Sequence, residues 1–218
     1  MFNYCPPTKL PDLKSQTFPD GKRYYVTPTG EKLPSVTTVL GASKKEAIMA
    51  WRKRVGEEVA NKISKKATGR GTNVHTLCER YLNNEKLGVI MPDAMEMFLP
   101  LKPALNRINN IHYQEQALWS VGIGMAGRVD CIAEFDGVLS VIDFKTSKRI
   151  KSKEDIPDYF AQCVAYACMY EELTGIAIEQ IVIIMAVEDS APLVFVERTE
   201  NYLNTLLEYI KFYKEQGK

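Results

Sequence analysis

Asp130, Asp143 and Lys145 are two carboxylates and a cation spaced so that one short hairpin would bring them together. Asp136-Gly137 is a two-residue type I′ turn signal between strand-like runs, Arg128 to Phe135 and Val138 to Lys145. If those two residues are the whole loop, Phe135 faces Val138, and counting outward sets Asp130 opposite Asp143 and Arg128 opposite Lys145. Strand side chains alternate with period 2, so all four share one face. Opposed carboxylates have Cβ atoms roughly 5 Å apart and repel, which a hairpin built for stability alone would avoid. A divalent cation, binding carboxylate oxygens at about 2.1 Å, turns the repulsion into the reason for the pairing. The other face, from Val129, Cys131, Ala133 and Phe135 to Ile142 and Phe144, is mostly apolar. One face is thus expected to pack and the other to do chemistry. An acidic pair on a solvated sheet is the bland alternative; the fixed register and the glycine at 127 weigh against it.

The surrounding elements must hold this hairpin. Residues 18 to 33 read as a hairpin turning through Pro28-Thr29-Gly30, and Ser35 suits a helix N-cap. Ser43-Lys44-Lys45-Glu46 reads as a capping box that opens a long helix to about Lys66. Its apolar stripe, Ala47, Ile48, Trp51, Val55, Val59 and Ile63, makes Trp51 core and leaves Arg52 and Arg54 as candidates for phosphate contact. A next helix, Thr72 to Asn83, buries Val74, Leu77, Cys78 and Tyr81 and sets His75 and Glu79 at i and i+4. Residues 92 to 110 have a helical pattern interrupted by Pro100 and Pro103. Tyr113 to Val121 reads as a strand turned by Gly122-Ile123-Gly124 into the active hairpin; Glu115 on it could reach the site, but a solvent-facing role is the simpler reading. A basic loop containing Lys148 follows Lys145. Pro157 then opens a helix that ends before Gly175 and stacks Gln162 one turn from Tyr166. Gln180 to Val187 and Leu193 to Val196 are closing strands, and Tyr202 to Phe212 a last helix.

Gly127-x-x-Asp130, the apolar strand ending Asp143-Phe144-Lys145, Gln162-x-x-x-Tyr166 and the upstream helical His75 together resemble the RecB-like branch of the PD-(D/E)xK nucleases. Pro34-Ser35-Val36-Thr37-Thr38-Val39-Leu40, followed by Trp51-Arg52-Lys53-Arg54, is similar to the mitochondrial genome maintenance exonuclease family and its short phage relatives. The resemblance runs from about Tyr24 to Tyr170. It implies an α/β fold with a restriction-endonuclease-like core, a mixed central sheet flanked by helices, preceded by an N-terminal helical segment. It implies Asp130, Asp143, His75 and the Phe144 main-chain carbonyl as ligands of one or two Mg²⁺ or Mn²⁺ ions, with Glu79 orienting His75 and Lys145 completing the catalytic set. It places Ser35, Thr37, Gln162 and Tyr166 beside the DNA, where the simple alternatives are a helix cap for Ser35 and incidental helix positions for the last two. Arg52, Arg54, Arg70, Arg128 and Lys148 are further candidates for DNA contact.

With 218 residues, 45% of them hydrophobic, the chain suits one core and is expected to be a single nuclease domain: 18–68 as hairpin and basic helix, 69–198 as nuclease core and 199–218 as C-terminal helix. Five cysteines without CxxC spacing suggest a reduced chain. RecB-like relatives that carry an iron–sulfur cluster use three downstream cysteines, and none follows Cys168 here, so no cluster is expected. No apolar run approaches the roughly 20 residues of a membrane span. The first residues lack a secretory signal and an Arg-rich presequence, which favours the cytoplasm of a bacterium or phage-infected host over the mitochondrial matrix. The formal net charge is +1, yet Lys44 to Arg70 holds nine Lys or Arg against three Glu, a footprint for phosphate or simply a solvated face. The expected activity is metal-dependent exonucleolytic hydrolysis of DNA, single-stranded, giving 5′-phosphates, with phage or host replication or recombination proteins as partners. The alternatives are an inactive DNA-binding module of the same fold, a structure-specific endonuclease or a double-strand exonuclease.

Overall fold

Asp136 and Gly137 both take positive φ, 54° and 79°, as a type I′ turn requires. They join β5 (Met125–Phe135) to β6 (Val138–Ser147), pairing Phe135 with Val138 and Cys131 with Ile142 in the register that the turn predicts. The computed structural model describes residues 1–19, 21–88 and 91–216. Residue 20 of the expected hairpin segment and residues 217 and 218 of the expected C-terminal segment lie outside them.

The central sheet runs β4-β5-β6-β7-β8, adding β4 (Ile108–Ser120), β7 (Gln180–Val187) and β8 (Leu193–Arg198). Only β6 and β7 pair parallel, and a parallel pair needs a crossover. That crossover contains α6 (Pro157–Thr174), which starts on proline and stops at Gly175 in the left-handed region, φ 74°.

Helices cover both faces of the sheet. On one, α6 packs with α1 (Val36–Gly41) and α7 (Leu203–Gln216) over Val129, Ile132, Val141 and Ile183. On the other, α3 (Glu57–Leu82), α4 (Pro92–Phe98) and α5 (Lys102–Leu105) cover Cys131, Ala133, Phe135, Ile142 and Phe144. The expectation of one open face therefore fails: Ile132 and Val141, on the face assigned to chemistry, are core. The reason is visible in β6 and β7, whose near-continuous apolar runs mark strands buried on both sides.

A small sheet, β1 (Ser15–Thr17), β2 (Arg23–Val26) and β3 (Lys32–Pro34), sits against β4 and β5 through Leu13, Tyr25, Leu33, Ala117 and Ala126. The long basic helix is corrected. Gly56, at φ 87°, ends α2 (Lys45–Val55), and α3 then runs 26 residues, about 39 Å, through both expected helices. Ser43 donates to the Leu40 carbonyl at 3.2 Å and forms no capping box. No α2 residue is buried and Trp51 is half-buried. Ile48 and Val59 are 49% and 51% exposed, so the expected core stripe lies largely on the surface, because α3 reaches the sheet only in its C-terminal half.

Candidate active site

Beyond Cys131 and Ile142 the ladder between β5 and β6 stops, and the Phe144 N–H donates instead to the Asp130 carboxylate, at 2.8 Å. A strand residue's N–H and C=O point to the same side, so the Phe144 carbonyl faces the same fork. Strand alternation also breaks here: Cys131 packs with the α3 side and Val129 with the α6 side. Directly across on β4, between the pairs Gln116–Val129 and Gln114–Cys131, stands Glu115, a non-glycine residue at φ 47°. Such a backbone costs on the order of 1 kcal/mol and persists where its surroundings fix it.

His75, on the buried half of α3, brings Nδ1 to 3.4 Å from an Asp130 oxygen and sets its ring edge-on to Phe144. Ligand atoms of His75, Glu115 and Asp130 all lie within 4.8 Å of one another. Donors at about 2.1 Å from one ion stand roughly 3 to 4 Å apart, so small rotations would close this trio round a cation. Burial, then the charges of Asp130 and Glu79, push the Glu115 carboxyl up to about 7. Glu115 is thus half-buried at the fork rather than solvent-facing. The Gly122–Gly124 turn carries the signal: counting back from Ser120 paired with Met125 lands Glu115 opposite Asp130.

Asp143 is 1% exposed. Neither of its oxygens finds a hydrogen-bond partner of proper geometry among the described residues, and Lys145 Nζ meets it as an ion pair. Burial raises the Asp143 pKa, opposed by Lys145 and reinforced by Asp130. Burial also works against the Lys145 ammonium, but Asp143 and Asp130 outweigh it and the Lys145 pKa is raised. Lys145 donates to Gln162 Oε1 at 3.2 Å and lies 5.0 Å from the Tyr159 ring centre. A buried carboxylate with unused lone pairs, beside a second one turned into the same fork, is a donor set that fits a divalent cation.

One turn beyond Gln162, Tyr166 is buried and closes the floor of the site. A Cβ on residue 127 would stand 2.7 Å from the Tyr166 hydroxyl, 3.0 Å from its Cε1 and 3.1 Å from Val36 Cγ2. Gly127 is therefore glycine because α1 and α6 approach the strand there. This steric fit ties Gly127-x-x-Asp130 to Gln162-x-x-x-Tyr166.

Residues 86–212 match the family model of the PD-(D/E)XK nuclease superfamily. The chain belongs to that superfamily. Its five-stranded mixed sheet flanked by helices is the restriction-endonuclease-like core. Among solved structures, it is similar to a protein from Eubacterium rectale provisionally named an exonuclease, at 15% identity and TM-score 0.48 over 69% of this chain. The match spans 65% of that protein, under two thirds of its length. It is also similar to SSO0001, at 14% identity and TM-score 0.41, covering 79% of this chain and 74% of that one. No curated protein matches the sequence significantly.

Not every expected site residue reaches the fork. Arg128 does not oppose Lys145: it pairs with Ala117 on β4, and its guanidinium binds the Glu115 carbonyl and Asp12. Arg70 is 6% exposed and clamps α3 to Glu188 at 2.7 Å, which removes it from any surface. Arg52 is held across the α2–α3 corner by Glu57 and Asn61. Arg54, Lys148 and Thr37 are exposed. Ser35 is buried as the α1 cap, accepting from the Thr38 N–H at 3.1 Å, so the simple alternative describes it. No hydrogen bond joins Glu79 to His75 among the described residues; Glu79 acts on the site through its charge. Cys163 is buried against Asp143 and Lys145. No described helix is long and apolar enough to cross a membrane.

Proposed function

We propose that this chain is a divalent-metal-dependent deoxyribonuclease of the RecB-like branch, related to the mitochondrial genome maintenance exonucleases and their phage relatives. It would hydrolyse phosphodiester bonds at ends of single-stranded DNA and leave 5′-phosphates. The observation that carries this reading is the fork at Asp130, where the strand ladder gives way to carboxylates, an imidazole and a lysine. Single-strand and end preference rest on the five sequence motifs in their order.

Asp130, Asp143, His75 and the Phe144 carbonyl would hold one or two Mg²⁺ or Mn²⁺ ions, with Glu115 as a further ligand. Such an ion supplies charge to the phosphate and lowers the pKa of a bound water. Lys145 keeps its proton, since neighbouring carboxylates raise its pKa. It therefore donates to a phosphate oxygen or to the attacking water and does not act as the base. Gln162 fixes the Lys145 ammonium from the other side. Tyr166, Val36 and Phe144 keep bulk water from beneath the fork.

The test is cleavage of linear and circular, single- and double-stranded DNA with Mg²⁺, Mn²⁺ or EDTA, for wild type, Asp143→Ala and Lys145→Ala. Degradation of linear single strands alone, stopped by EDTA and by either substitution, is expected. Cutting of circles makes it an endonuclease; binding without any cutting makes it a binding module.

A further inference from the structure

A cleft away from the carboxylates, about 700 Å³ in volume, opens between β1, β2, α1, the start of α2 and the end of α7, within the range of ligand pockets. Arg23, Lys45 and Lys214 line it together with Lys22, and no acidic side chain among the described residues does. Thr17, Thr37 and Thr38 add hydroxyls, and Ile48 and Met49 add exposed apolar surface. Four cations around hydroxyls suit phosphate, and an apolar wall suits the face of a base.

The cleft is built onto the active site. Arg23 is fixed through its backbone: its carbonyl accepts from the Ser35 N–H at 2.7 Å and its N–H donates to Thr38 Oγ1 at 3.2 Å. Ser35 in turn bridges to Ala126, the neighbour of Gly127, and Val36 packs against Gly127 itself. The α1 helix, about 9 Å long, thus turns Thr37, Thr38 and Gly41 to the cleft and Val36 to the strand that carries Asp130.

We propose that this cleft is a strand-binding subsite that takes the phosphodiester backbone of the nucleic acid a few nucleotides from the cleaved bond. This rests on the nuclease reading above. A subsite of this kind holds the strand in line while the fork acts on it, and its contribution is electrostatic, hence salt-dependent.

The experiment measures binding of a labelled 16-nucleotide single strand by fluorescence anisotropy, in Ca²⁺ and across a salt series. Wild type is compared with Arg23→Glu/Lys45→Glu and with Lys86→Glu/Lys102→Glu, a control that changes net charge equally on another part of the surface. Arg23 and Lys45 are exposed, and thermal melts verify that both variants fold. The cleft variant should weaken binding about tenfold or more and lower the salt slope by about 1.4, two contacts at roughly 0.7 each. The control should stay within about twofold. Equal losses in both variants, or no loss in the cleft variant, overturn the subsite. If wild type neither binds nor cuts any strand in the cleavage test, the nuclease reading falls first; if it cuts normally and the cleft variant binds as wild type does, the subsite alone falls.

Discussion

Replacing Gly127 by alanine tests whether the strand that carries Asp130 is braced by the close approach of Tyr166. The new Cβ would sit 2.7 Å from the Tyr166 hydroxyl, 3.0 Å from Cε1 and 3.1 Å from Val36 Cγ2, all well inside ordinary contact distances. Both neighbours are buried, so neither can swing into solvent, and strand or helix must shift. Overpacking of this kind costs about 1–3 kcal/mol. For a chain of this size about 2 kcal/mol lowers Tm by roughly 4–8 °C. The shift also spreads along β5 to Asp130, three residues on, so metal affinity should fall with stability. Tyr166→Phe removes the closest clashing atom at the cost of one buried hydroxyl, about 1 kcal/mol. The double variant should therefore be more stable than the sum of the two single losses implies, with a coupling of about 1 kcal/mol by urea denaturation. Additive losses, or a Gly127→Ala chain with wild-type Tm and metal affinity, would refute the steric argument.

Three further outcomes follow, two from the charges at the fork and one from the buried Arg70. Because the folded-state pKa of Glu115 is raised to about 7, the folded chain binds its proton more tightly than the unfolded chain. Metal-free stability should then fall as pH rises from the ordinary glutamate value towards 7, and Mn²⁺ affinity should climb over the same window; Glu115→Gln flattens both, read by urea melts and calorimetry, and unchanged slopes would sink the assignment. Lys145→Ala leaves the buried Asp143 without its cation and should cost about 3 kcal/mol in EDTA, with saturating Mn²⁺ returning about 2.7 kcal/mol at one hundred times Kd; equal melts with and without metal would contradict metal binding at Asp143. Glu188→Ala strands the buried Arg70 and should destabilise by about 3 kcal/mol while leaving oligonucleotide affinity within about twofold; a large affinity loss would restore Arg70 to the nucleic-acid surface.

Much of this was legible in sequence because local chemistry fixed it. Asp136-Gly137 determined a register, and Pro157 and Gly175 bounded α6 to the residue. The errors came from what tertiary contacts decide. The stripe from Ile48 to Ile63 has helical spacing, but spacing cannot say whether a partner surface exists, and α3 meets the sheet only beyond Arg70. Strict alternation assigned Val129 to the wrong side because the break at Asp130 depends on Glu115 opposite it, a residue in a conformation its type seldom adopts. Arg70 and Arg128 looked like phosphate ligands by charge alone; their partners Glu188 and Asp12 lie 118 and 116 residues away, beyond any motif.

The position of the site follows from the same competition. A sheet covered on both faces offers water and ions no approach across its surface, so chemistry must occur where strands part. Parting leaves backbone donors and acceptors without partners, and buried ones are costly. Here Asp130 satisfies the Phe144 N–H from its side chain, which keeps the fork open and puts a negative charge at its centre. That charge adds to burial in raising Glu115 and to Asp143 in raising Lys145, and it sits beside Asp143. A neutral isostere, Asp130→Asn, could keep the Phe144 bond and so preserve the fork, yet it would remove the charge that makes the neighbouring groups a cation site. Fold and metal affinity should therefore separate in that variant: a near-native melt in EDTA, and loss of the Mn²⁺-induced rise in Tm.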